Sequence, residues 1–100
     1  MAEVIWTEPA LQELDAIAEY IVLDNPAAAS RLVKAVFDQT ARLADFPQSG
    51  RIPPKLSDSV YREVVVPPCR IFYRQDEQLV FVLHVMREER QLRVYMLGSG

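Results

Sequence analysis

The segment Phe81–Tyr95, FVLHVMREERQLRVY, begins as an apolar run and ends crowded with charge: Arg87, Glu88, Glu89, Arg90 and Arg93. It also carries the single histidine of the chain, His84, and a late tyrosine, Tyr95. Two kinds of chemistry fit such a set. Cleavage of RNA at a 2′-hydroxyl needs a base for that hydroxyl, cations for the charge on the phosphorane and an acid for the leaving oxygen. Alternatively, the same cations can grip a partner protein without any reaction. His84 also fits a plain structural role, as a hydrogen-bonded histidine near a strand end.

The charge distribution bears on the choice. The 100 residues carry a formal net charge of −3, whereas nucleic-acid binders are usually basic. Residues 1–30 hold Glu3, Glu8, Glu13, Asp15, Glu19 and Asp24 and no Lys or Arg, so this part repels a phosphate backbone. From Arg62 onward, six arginines face five acids, which places any anion-binding surface in the C-terminal half. Cys69 is the only cysteine. It rules out an intramolecular disulfide and a thiolate-rich zinc site, and it fits a small buried hydrophobe in a reducing compartment. No basic cluster followed by an apolar run opens the chain, and no stretch reaches the ~20 apolar residues of a membrane helix. The expectation is a cytoplasmic protein with no membrane partner, no metal and no cofactor.

The elements that must position these residues follow from periodicity. Glu3–Trp6 is short and β-prone. Thr7 offers a helix cap before Glu8 and Pro9, and Leu11, Leu14, Ile17, Ala18 and Ile21 recur at helical spacing, which predicts an amphipathic helix over 8–23. Asn25-Pro26 opens a second helix running to about Asp45, with Leu32, Val36, Thr40 and Leu43 on one side. So short a turn makes the two an antiparallel αα-hairpin. Phe46-Pro47-Gln48-Ser49-Gly50 and Pro53-Pro54 break the pattern, giving a surface loop over 47–59. Three strands follow: Tyr61–Val66, Arg70–Gln75 and Leu79–Met86. Strict alternation puts Leu79, Phe81, Leu83 and Val85 on one face of the last strand and Val80, Val82 and Met86 on the other. A strand apolar on both faces belongs in the middle of a sheet. The order β-α-α-β-β-β in one domain, 1–100, is an α+β fold: a helical hairpin on a small, mostly antiparallel sheet.

This order, at this length, resembles the RelE/ParE family of toxins from bacterial toxin–antitoxin pairs. The likeness rests on IWTEPALQELDAIAEYI, FPQSGR at 46–51, YREVVV, CRIFYR at 69–74 and the closing FVLHVMREER, which together span nearly the whole chain. The resemblance implies one fold with two activities. RelE-like members cut messenger RNA in the ribosome, and ParE-like members poison DNA gyrase; fold alone does not choose between them.

Carried over residue by residue, the RelE-like nuclease set becomes Arg62, Arg70, Arg87 and Tyr95. It is incomplete. The lysine pair of such nucleases on the YREVVV strand is represented only by Arg62, with Val64 at the partner position. Where consecutive basic residues are expected after the last strand, Arg87 is followed by Glu88-Glu89, and Tyr95 matches the late tyrosine only after a one-residue shift. The pattern His84-Val85-Met86-Arg87 is similar to the ParE-like branch. That branch implies a toxin that binds gyrase and traps its cleaved-DNA complex without chemistry of its own, neutralised by a ParD-like antitoxin. It implies no sequence-specific nucleic-acid binding by the toxin alone. The expected gyrase-contacting residues are His84, Arg87, Arg90 and Arg93. The expected antitoxin contacts are Arg62, Arg70, Tyr73, Leu92, Val94 and Tyr95.

Overall fold

The computed structural model describes residues 2–54 and 60–88. The elements are β1 (Glu3–Trp6), α1 (Glu8–Val22), α2 (Pro26–Ala41), a 3-10 turn (Arg42–Ala44), β2 (Tyr61–Val66), β3 (Cys69–Asp76) and β4 (Leu79–Arg87). The expected order therefore holds. The second helix ends four residues earlier than its apolar spacing suggests, because its last turn tightens to 3-10 geometry at Arg42.

Both helices start as their sequences dictate. Thr7 Oγ1 accepts the Ala10 N–H and Asn25 Oδ1 accepts the Ala28 N–H, each with proline in the first turn. Thr7 has a second task. Its hydroxyl donates to the Val82 carbonyl at 2.8 Å and its N–H to the same oxygen at 3.1 Å, so the start of α1 is tied to the middle of β4.

The four strands lie in the order β1-β4-β3-β2. β1 runs parallel to β4, with Glu3 opposite Leu79 and Trp6 opposite Val82; β2–β3 and β3–β4 are antiparallel. β4 is central, as its two apolar faces require. Its alternation is not strict, however. Phe72 pairs with His84 and Tyr73 with Val82, so Leu83 is an extra residue, a β-bulge. The bulge reverses the faces beyond it. Val82 and Val85 both join the main core, while Leu83 and Met86 pack together with Phe72.

That main core is built from Ala10 and Leu14 of α1, Leu32 and Val36 of α2, and Val66, Cys69, Ile71, Val82 and Val85 of the sheet. The helical hairpin thus covers one sheet face. Each fully buried Leu or Val contributes about 1.5–3 kcal/mol, so Leu14 and Val36 are among the positions that hold the hairpin down. Cys69 is buried there as a small hydrophobe. Trp6 packs against this core and tilts onto Phe37 at 4.9 Å between ring centroids. Among the described residues no helix is long and apolar enough to cross a membrane.

Candidate functional site

The end of β4 is docked on α1. Glu13 reaches across to the bulge, where its Oε1 accepts the Val85 N–H at 3.1 Å and lies 3.1 Å from His84 Nδ1. A carboxylate only accepts, so Nδ1 carries the hydrogen of that contact. His84 is therefore a positioned side chain that links helix and strand, with part of its ring still at the surface. Three residues on, the Arg87 guanidinium sits over the Tyr20 ring at 5.3 Å, and the Glu88 N–H is held by the Pro68 carbonyl at 2.8 Å. His84 and Arg87 are thus presented on a rigid strand end braced by Glu13 and Tyr20. Arg90 and Arg93, expected on the same surface, lie outside the described residues, as do Leu92, Val94 and Tyr95.

The second group of cations surrounds Glu63, which is fully buried. Burying a carboxylate is costly unless it is paired and hydrogen-bonded. Here both oxygens are taken: Arg70 donates Nε at 3.0 Å and Nη2 at 2.7 Å to Oε2, and Arg51 Nε donates to Oε1. Arg51 and Glu63 also exchange both backbone hydrogen bonds, at 3.0 and 2.7 Å, which pins the loop to the outer edge of β2. Arg70 further stacks its guanidinium on Phe72 at 5.0 Å. Arg74, on the same face, takes Phe81 at 4.8 Å and Asp76 at 3.7 Å.

Arg62 lies on the other face of the sheet. Its register partner is Tyr73, and its Nη1 donates to the carbonyls of Gly50 at 2.9 Å and Gln48 at 3.3 Å. Tyr73 itself, expected among the antitoxin contacts, is buried at 0 % exposure in this chain. Its hydroxyl donates to the Pro47 carbonyl at 2.8 Å and accepts the Gly50 N–H at 2.9 Å. Burial raises the Tyr73 pKa above its ordinary value; the Gly50 N–H and the Arg62 charge oppose the shift without cancelling it. The FPQSGR turn is therefore a loop fastened by Tyr73, Arg62 and Glu63.

These placements decide what the cations can do together. Along β3, residues 70, 72 and 74 share one face, and 69, 71 and 73 share the helix-covered face. Arg62 pairs with Tyr73 and Arg87 with Cys69, so both point to the helix-covered face, whereas Arg70 points away. Arg62 and Arg87 are moreover at opposite ends of that face, one by the loop and one by Tyr20. Arg62, Arg70 and Arg87 do not converge on a point where one phosphodiester can sit. Among the described residues no cluster of His, Cys, Asp and Glu is arranged to hold a metal ion. Sequence reasoning missed Glu63. The signal was present, since an acid that a strand carries into the interior must find cations, and Arg51 and Arg70 were in reach.

Comparison with known proteins agrees with this architecture. The family model described as ParE toxin of type II toxin–antitoxin system, parDE, matches residues 4–92. Toxin RelE2 of Caulobacter vibrioides is 37% identical over 91 residues, covering 90% of this chain and 99% of that protein. Putative toxin Y4kP of Sinorhizobium fredii is 36% identical over 91 residues, covering 87% and 92% respectively. A solved chain of the chromosomal ParDE TA system from P. aeruginosa superposes with a TM-score of 0.70 at 23% identity, over 87% of this chain and 96% of that one, and so shares the fold. The chain belongs to the ParE toxin family of type II toxin–antitoxin systems.

Proposed function

We propose that this toxin inhibits DNA gyrase by binding it and trapping the cleaved-DNA complex, in the bacterial cytoplasm, and that a ParD-like antitoxin neutralises it. The observation that carries the reading is the dispersal of the cations: Arg70 is turned to the opposite sheet face from Arg62 and Arg87, and is tied to Glu63. Stabilising a breaking phosphodiester needs preorganised positive groups aimed at one site. Adhesion needs only a rigid presenting surface, which His84 and Arg87 have at the end of β4. Arg90 and Arg93, which follow in the sequence, are assigned to the same gyrase contact. The antitoxin contacts are assigned to the apolar residues Leu92, Val94 and Tyr95 and to the rims of Arg62 and Arg70. Pairing with a ParD-like partner is supported by the family and by the ParDE fold match.

The ribosome-dependent nuclease reading keeps one supporting observation, the relative named RelE2. One experiment separates the two. The purified protein is incubated with gyrase, ATP and supercoiled plasmid, and in parallel with programmed ribosomes. Accumulation of cleaved plasmid complexes with intact messenger RNA is expected; codon-spaced cuts in the messenger overturn the gyrase reading.

A further inference from the structure

β2 is an edge strand. Its outer side is partly closed by the chain itself, because Arg51 bridges Glu63 through both backbone hydrogen bonds. Since Glu63 points its N–H and C=O outward, Val65, two residues on, does the same. Among the described residues no backbone partner meets Val65 there, and its side chain is 40% exposed. Beside this open edge is a cleft of about 290 Å³ lined by Gln39, Arg42, Ser49, Arg51, Val64 and Val65.

The cleft has the chemistry of a carboxylate receptor. The Arg42 guanidinium has no hydrogen bond or ion pair with any described residue, and Arg51 spends only Nε of its guanidinium on Glu63. The one acid at the cleft, Glu63, is buried and already neutralised by Arg51 and Arg70. Two arginines, the Ser49 hydroxyl and the outward Val65 N–H therefore surround the space, with valine side chains forming its apolar wall. An unpaired strand edge favours an extended peptide, which adds its own backbone alongside. The chain's net charge of −3 disfavours a polyphosphate backbone at the same place.

We infer that this cleft docks an extended acidic segment of a partner protein, with its backbone paired to Val65 and a carboxylate held between Arg42 and Arg51. The cleft is two strands away from Arg87, so the effector surface proposed above and this site can fail independently.

The test is an amide-resolved NMR titration of the full chain with the capped peptide acetyl-Glu-Val-Glu-Val-Glu-amide. Saturable shifts at Val65, Arg51 and Arg42 are expected. The Gln-Val-Gln-Val-Gln counterpart should bind at least about fivefold more weakly, and R42E should weaken the acidic peptide about tenfold, equivalent to ~1.4 kcal/mol. Arg42 is exposed and unpaired among the described residues, so R42E keeps the fold, and an unchanged spectrum elsewhere verifies that. Equal binding of the glutamine peptide, shifts confined to other surfaces, or no saturation at millimolar peptide each overturn the inference. A single-stranded RNA oligomer run in parallel overturns the peptide assignment if it saturates the same resonances more tightly.

Discussion

Arg70 holds Glu63 through two nitrogens on a single carboxylate oxygen, Nε at 3.0 Å and Nη2 at 2.7 Å, in a pair whose acid is entirely shielded from water. Removing one partner of a buried pair strands the other charge. Glu63→Ala should therefore cost about 3–5 kcal/mol, because it leaves Arg70 unmatched and releases Arg51. The measurement is the urea midpoint, with an unchanged slope showing that the unfolding transition is otherwise the same. Arg70→Ala should be comparably damaging, whereas a change of under 1 kcal/mol in either variant would mean that the pair adds nothing to the fold.

Tyr73→Phe deletes a hydroxyl that is saturated on both sides, leaving the Pro47 carbonyl and the Gly50 N–H without their partner. The expected loss is about 1–3 kcal/mol. The pH dependence follows from the raised pKa. The folded state holds the Tyr73 proton more tightly than the unfolded chain, so its share of stability is complete below the ordinary tyrosine value of 10.0 and is lost as pH climbs through the higher folded value. Thermal midpoints measured from pH 8 upward should fall on the alkaline side in the parent chain and fall less steeply in Tyr73→Phe.

Gly50 is irreplaceable for a steric reason. A Cβ there would come within 2.6 Å of the Tyr73 hydroxyl and 2.8 Å of the Glu63 carbonyl oxygen. Neither atom can withdraw, since both are engaged in the contacts that fasten the loop. Gly50→Ala should destabilise by about 1–3 kcal/mol, and combining it with Tyr73→Phe should relieve only part of that, because the Glu63 clash persists. A calorimetric melting series of the two single variants and the double variant measures the coupling.

Arg87→Ala should abolish or strongly reduce growth arrest while the fold survives; the loss of its cation–π contact with Tyr20 by itself costs about 0.5–1 kcal/mol at a partly exposed site. Tyr20→Phe keeps the ring under the guanidinium and should leave toxicity intact. Induced expression in a bacterial host, with colony counts and a denaturation curve for each variant, checks both. Undiminished arrest by Arg87→Ala would remove that residue from the effector surface.

The elements were legible because local signals agreed: Thr7 and Asn25 mark the helix starts, Pro67-Pro68 separates two strands, and the apolar run at Leu79–Met86 marks the central strand. Two features were not. The bulge at Leu83 is set by tertiary contacts, with the Glu13 carboxylate capping the Val85 N–H, and nothing in FVLHVM announces a break in alternation. The roles of Arg62, Arg70 and Tyr73 depended on what lay across the sheet. An arginine in a strand reads the same whether it faces a ligand or a buried glutamate, and only the pairing register separates the two. His84 and Arg87 were correctly located at the strand end, but their bracing by Glu13 and Tyr20 joins residues 71 and 67 positions apart and has no local trace in the sequence.

The parallel pairing of β1 with β4 sets Glu3 against Leu79, 76 positions along the chain (79 − 3). A nascent polypeptide emerging amino end first can fold its helical hairpin early, but the first strand must wait, unpartnered, until β4 has been synthesised. Closing so long a loop is entropically costly and slow compared with local helix formation. A truncated or stalled translation product consequently has no complete sheet and no braced strand end. If the end of β4 is the effector surface, as proposed, competence to bind a target arrives only when β4 joins the sheet, and the nascent chain before that point lacks it.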